Sequence, residues 1–182
     1  MENTFTFRDR DTLSPKLAEA PQSTTTAFQR IDQVALAVHD VEVAIRMFQD
    51  VLGFELKRRL HIKGQRTGML SAELECNGIR FVLCQGTEPE SQISQLIEQF
   101  GVGVAHIALE VDSVENTVEH LARHGLQFDT SVISGPGLTQ AFSTRCANTD
   151  MSFEFIHRSG EDGFLQSNSQ QLFDQLEQSG KY

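Results

Sequence analysis

Tryptophan is missing from this chain and tyrosine occurs once, so its aromatic core must come almost wholly from 13 phenylalanines. Cysteine is scarce as well. Cys76, Cys84 and Cys146 are an odd number with no Cys-x-x-Cys pair. They argue against a disulfide framework or a structural zinc site and fit the reduced thiols of a cytoplasmic protein. Positive charge is in short supply, with 15 Lys and Arg against 25 Asp and Glu and a net charge of −10. Such a surface would repel nucleic acid and anionic lipid, so neither is expected as a partner. No apolar run approaches membrane-spanning length, and the opening residues MENTFTFRDR lack the apolar core of a signal peptide.

What remains is an ordinary globular composition, 39% hydrophobic and 22% charged over 182 residues. The length suits one domain with a substantial core, or at most two small ones. Residues 1–27 are polar, carry Pro15, Pro21 and a Ser-Thr-rich run, and read as a flexible arm. The segment Ile31–Val38 (IDQVALAV) alternates as a strand does. Asp40 then occupies an N-cap position, helical spacing runs from Val41 to Leu52, and Gly53 ends it. Phe54–His61, Met69–Glu75 and Ile79–Cys84 read as strands, the last two forming a hairpin around Asn77-Gly78. Ser91–Phe100 reads as a short helix.

The first pattern then returns. Val104–Val111 (VAHIALEV) is a strand, Asp112-Ser113 cap a helix ending at Gly125, and Phe128–Ile133, Leu138–Cys146 and Met151–His157 follow as strands. The first strands of the two units lie 73 residues apart, counted from Gln33 to His106. A duplicated strand–helix–three-strand unit constrains the fold more than any single element. Two such units can curl their sheets around one concave space. The fold class is therefore α+β: two βαβββ modules, at about residues 28–90 and 101–158, forming a half-open mixed barrel in one domain over 28–182. An amphipathic helix at about 163–178 would cover it.

Alternation puts Gln33, Ala35 and Ala37 on one strand face, and His106, Ala108 and Glu110 on one face of the repeat-matched strand. The alanines leave room for a cavity. Glu154 lies in the apolar terminal strand MSFEFIH, where a carboxylate needs a cation or hydrogen-bond partner. Each residue alone has a structural explanation: a strand glutamine, a satisfied histidine, a paired glutamate. Together at repeat-matched positions they suggest a divalent metal held by an amide oxygen, an imidazole and a carboxylate. Phe142 and Phe153 read as core, and His39, His61, His120, His124 and His157 as exposed, with His157 nearest the carboxylate in sequence.

The duplicated unit, with IDQVALAV and GVAHIALEV opening its halves and FEFIHR closing the second, resembles the vicinal-oxygen-chelate (glyoxalase, bleomycin-resistance and dioxygenase) superfamily over about residues 29–178. Within it, GIRFVLCQG, LTQAFSTR, SFEFIHR and DGFLQSNSQQLFDQLE are most similar to the 4-hydroxyphenylpyruvate dioxygenase and hydroxymandelate synthase group. That resemblance implies a mononuclear non-heme Fe(II) dioxygenase acting with O2 on a small aromatic or 2-oxo-acid substrate. Manganese, zinc, nickel and cobalt stay open as alternative metals. The group's second histidine and glutamate match His106 and Glu154, while Gln33 stands where it has its first histidine. Gln140 matches a glutamine that contacts substrate, Phe164 a residue of the pocket-lining lid, and Asn168 an asparagine near it. Glyoxalase-type relatives add a fourth ligand from the last strand of the first unit, and Phe81 is the residue expected there. Two other readings stand beside the dioxygenase. One is a metal-dependent glyoxalase or epimerase type of lyase or isomerase, with Glu110 as base. The other is a non-catalytic small-molecule-binding protein of the resistance type. Either a monomer or a homodimer is compatible with the sequence.

Overall fold

The computed structural model describes residues 27–64, 66–160, 170, 171, 174 and 175. Eight strands form one curled, half-barrel sheet in the order β2-β3-β4-β1-β5-β8-β7-β6. The strands are β1 Arg30–Ala37, β2 Glu55–Lys63, β3 Gly68–Cys76, β4 Ile79–Gly86, β5 Gly103–Glu110, β6 Ile133–Gly135, β7 Leu138–Phe142 and β8 Phe153–Arg158. Between them stand α1 (Val41–Arg46, continuing as a π-helical turn over Met47–Val51), α2 (Gln92–Phe100) and α3 (Val114–Arg123). The first strands of the two units, β1 and β5, pair antiparallel at the centre. Each also pairs in parallel with its own unit's last strand, β1 with β4 and β5 with β8.

The sheet's two faces are packed with different residue types. The outer face takes the bulky groups. Val41, Ile45 and Phe48 of the first helix pack on Ala72, Leu74 and Leu83. Phe48, Phe54 and Phe81 close a triangle there, with ring centroids 5.1–5.6 Å apart. In the second unit Val114 of α3 packs on Ala141 and Phe155, and Phe28 and Phe128 flank Phe155 at 6.1 and 5.8 Å. Aromatic pairs at such spacings contribute about 0.5–1.5 kcal/mol each beyond the area they bury. The inner face is lined by small residues. Ala35, Ala37, Val82, Cys84, Ala105 and Ala108 form a cluster that reaches Leu138 and Ile156, with Leu96 of α2 packed against it.

Caps follow the sequence. Asp40 accepts from Val43 N at 2.9 Å at the start of α1, and Ser113 accepts from Asn116 N at 3.2 Å at the start of α3. Asn77 and Gly78 both adopt positive φ, at 50° and 80°, as a tight hairpin turn requires.

Two expectations change. The first helix does not stay α-helical to Leu52. Its last turn widens, with Leu52 N reaching Met47 O and Phe54 N reaching Phe48 O, which brings Phe54 onto Phe48. The strand expected at Phe128–Ile133 shrinks to a single bridge from Phe128 to Ser143, and β6 starts only at Ile133. In between, side chains add to the one backbone bond that remains, Asp129 N to Phe142 O at 2.9 Å. Thr130 Oγ1 accepts from Phe142 N at 2.9 Å, and Thr144 Oγ1 donates to Asp129 at 2.7 Å.

Residues 170, 171, 174 and 175 are helical. Gln170 Nε2 donates to Lys63 O, at the end of β2, at 2.8 Å. The Gln175 side-chain oxygen accepts from Ser131 N and Oγ, just before β6, each at 3.2 Å. β2 and β6 are the two edges of the sheet. Phe164, Asn168 and all but the last residue of the arm at 1–27 lie outside the described residues.

Candidate functional site

Strand register sets the site. Gln33 of β1 lies opposite Ala108 of β5, Ala108 opposite Glu154 of β8, and Glu154 opposite Phe142 of β7. One row across the inner face therefore reads Gln33, Ala108, Glu154, Phe142. His106 stands one step along β5 from that row, opposite Ala35. The two alanines keep the floor low, so the longer side chains on either side can meet above it.

They do meet. Gln33 Nε2 donates to Glu154 Oε2 at 3.1 Å. His106 Nε2 lies 3.4 Å from the same oxygen. Phe142 sets its ring edge-on to the imidazole, centroids 5.0 Å apart at 86°. Glu154 and Gln140 are fully buried and Gln33 is 1% exposed, while His106 stays partly open.

Several polar atoms here have nothing to bond. Gln33 Oε1, Glu154 Oε1 and both amide atoms of Gln140 are buried without a hydrogen-bond partner. An unsatisfied buried polar group costs about 1–3 kcal/mol, and more when charged. An amide oxygen, a buried carboxylate and an imidazole nitrogen are donor types a divalent cation takes. No cluster of three His, Cys, Asp or Glu side chains occurs among the described residues, so any such centre depends on the amide of Gln33.

The expected fourth position is corrected. Phe81 belongs to the outer-face aromatic triangle, so it points away from the site. Val82 is the inner-face residue: it pairs with Ala35 as Glu154 pairs with the repeat-matched Ala108. Its side chain has no donor atom, so the chemical consequence for that position is unchanged. Glu110 is ion-paired with Arg30, which occupies one of its carboxylate oxygens. Phe142 lines the site rather than serving only as core. Among the other histidines, His120 and His157 are half-buried instead of exposed, and His157 Nδ1 lies 3.0 Å from Val111 O.

Sequence reading missed an ionic network beside the trio. Arg158 grips Asp32 with two hydrogen bonds, Nε to Oδ1 at 3.0 Å and Nη2 to Oδ2 at 2.7 Å. Arg80 lies 3.4 Å from Asp32, 3.1 Å from Glu73 and 3.5 Å from Glu75. Burial works to lower the Arg158 pKa, but its bond to Asp32 and the nearby charges of Asp32, Glu154 and Glu73 leave it raised. Strict alternation would turn Asp32 away from Gln33's face. A β-bulge between Ile31 and Gln33 leaves Asp32 as the extra residue and brings it to the inner side. Cys84, on the same face, has its thiol pushed up to about 12, chiefly by burial.

Paired modules around a concave, small-residue floor define a duplicated half-barrel protein with a polar site between the halves. The chain belongs to the Glyoxalase/Bleomycin resistance protein/Dioxygenase superfamily, whose family model matches residues 30–148. It is 28% identical over 166 residues to 4-hydroxyphenylpyruvate dioxygenase of Pseudomonas aeruginosa, covering 72% of this chain and 46% of that protein. It is 26% identical over 165 residues to hemolysin VllY of Vibrio vulnificus, covering 72% and 46%. The chain thus spans about half the length of the curated relatives it matches. A substituted 4-hydroxymandelate synthase from Streptomyces coelicolor superposes with a TM-score of 0.73 at 20% identity, over 83% of this chain and 54% of that one. Methylmalonyl-CoA epimerase from Mycobacterium tuberculosis superposes at 0.65 and 20% identity, over 76% and 93%. At that identity the structural likenesses establish the fold.

Proposed function

We propose that Gln33, His106 and Glu154 bind one divalent metal, Fe(II) in the first instance, in an oxygenase of the 4-hydroxyphenylpyruvate dioxygenase type. The observation that carries this is the convergence of Gln33 and His106 on Glu154, with Gln33 Oε1 and Glu154 Oε1 left unpartnered. Three protein donors would leave the ion open to further ligands, which suits bringing a 2-oxo acid and O2 together. A fourth protein donor would favour the lyase or isomerase reading, and Val82 stands at that position. Glu110, the base that reading needs, is engaged by Arg30.

The chain's own residues have definable tasks in this reaction. Glu154 supplies the negative charge in a dry setting, where its attraction for a cation is strongest. Gln33 would turn its amide oxygen to the ion and give up its bond to Glu154. Gln140 offers an unpartnered amide that can donate to and accept from a polar substrate. Phe142 fixes the imidazole plane and presents an apolar wall to an aromatic substrate. Phe164 is proposed to close the pocket against water. The partners are then a small molecule and O2.

The test is anaerobic Fe(II) binding by the full chain, followed by O2 uptake with an arylpyruvate. Wild type should bind about one equivalent and consume O2, and His106→Ala should do neither. Absence of divalent-metal binding by wild type would overturn the metal reading. Binding without substrate-dependent O2 uptake would overturn the oxygenase.

A further inference from the structure

We propose that Arg158 and Arg145 are positioning residues, each pinning a β-bulge that aims one side chain of the site. The two strands that carry Gln33 and His106 each contain one bulge, and the bulges are repeat-matched. On β1 the pairing skips from Ile31 to Gln33, leaving Asp32 extra. On β5 it skips from His106 to Val104 opposite Ala35 and Leu36, leaving Ala105 extra. In both modules the extra residue immediately precedes the site residue. A bulge breaks the two-residue alternation and re-aims the next side chain, but it also leaves backbone or side-chain groups unpaired and free to relax.

An arginine holds each one. Arg158 clamps the Asp32 carboxylate through two of its nitrogens. Arg145 Nη2 donates to Ala105 O at 2.7 Å, its other terminal nitrogen donates to Asp150 O, and its guanidinium lies over Phe100 at 5.1 Å. Partial burial lowers the Arg145 pKa from its ordinary value, while the nearby charges of Asp150 and Asp129 work the other way. Two unrelated arginines, one on β8 and one beyond β7, thus perform the same service in the two halves. Arg158 acts on Gln33 through Asp32, and Arg145 acts on His106 through the Ala105 carbonyl. This use of the site rests on the metal reading above, but the aiming itself does not.

The test exploits that pairing. In metal-free protein, NMR follows two reporters: the Gln33 side-chain amide protons, and the cross-relaxation between the His106 and Phe142 rings. Arg145→Gln should weaken the ring signal and leave the Gln33 amide in place. Arg158→Gln should shift the Gln33 amide and leave the ring signal. Arg145→Lys and Arg158→Lys, which keep a cation, should show the same pattern more mildly and cover any failure of the glutamine variants to fold. Cobalt(II) titration should then show about 10–100-fold weaker binding for each glutamine variant. Both reporters moving together, or neither moving, would overturn the proposal, as would unchanged cobalt affinity. Wild type that binds no cobalt would instead overturn the metal site, while the NMR crossing still decides the positioning.

Discussion

Glu154 bears the largest cost in this site. It is fully buried, one of its oxygens has no partner, and the other is shared by the Gln33 amide and the His106 ring. Glu154→Gln keeps the shape and removes the charge. The metal-free variant should therefore be more stable than wild type by about 1–2 kcal/mol, read as a higher urea midpoint at unchanged slope. Its affinity for Fe(II) should fall below detection. A less stable variant would mean that the carboxylate is already well compensated in the resting protein. The same residue shows what a sequence can and cannot reveal at this scale. A charge within an apolar strand and a histidine at a repeat-matched position are visible without coordinates. The pairing of Asp32 with Arg158 is not, because one extra residue in β1 reverses the face that alternation assigns to Asp32. Val82 and not its neighbour Phe81 faces the site for a related reason: one residue of register moves a side chain to the opposite face.

Helices and hairpins form where a capping or turn residue coincides with the periodic pattern. Asp40, Ser113 and Asn77-Gly78 all stand where the helices and hairpin need them. The strand expected at Phe128–Ile133 has no such residue, and the side chains of Asp129 and Thr130 bond to Thr144 and to the Phe142 backbone beside it. Gly86 is a case where an element depends on the absence of a side chain. A Cβ there would lie 1.9 Å from Ser91 Oγ, 2.2 Å from Ser94 Oγ and 3.0 Å from the Ser94 backbone nitrogen. Ser91 is the buried N-cap of α2, accepting from Ser94 N at 3.3 Å, and α2 delivers Leu96 to the inner-face cluster. Gly86→Ala must push that cap off the end of β4. A loss of about 1–3 kcal/mol is expected in denaturant unfolding, combining overpacking with a damaged cap. Ser91→Ala, which damages the cap without crowding β4, should lose about 1 kcal/mol. Equal losses in the two variants would show that crowding contributes nothing.

At the scale of the whole molecule, the division of labour between faces ties the fold to the site. Phenylalanines pack the outer faces under the helices, and alanines keep the inner face low beneath the longer side chains of the site. Gln33 comes from the first module, while His106 and Glu154 come from the second, and the antiparallel β1–β5 pair holds them in register. A metal bound by all three would therefore tie the two halves together. At a free metal concentration 100 times Kd the native state gains about 2.7 kcal/mol. For a chain of this size that corresponds to a rise of about 5–11 °C in the unfolding temperature. A single calorimetric transition should move by that amount in wild type and stay put in His106→Ala. If unfolding resolves into two steps and metal delays only one of them, the ion is held within one module and Gln33 is not among its ligands.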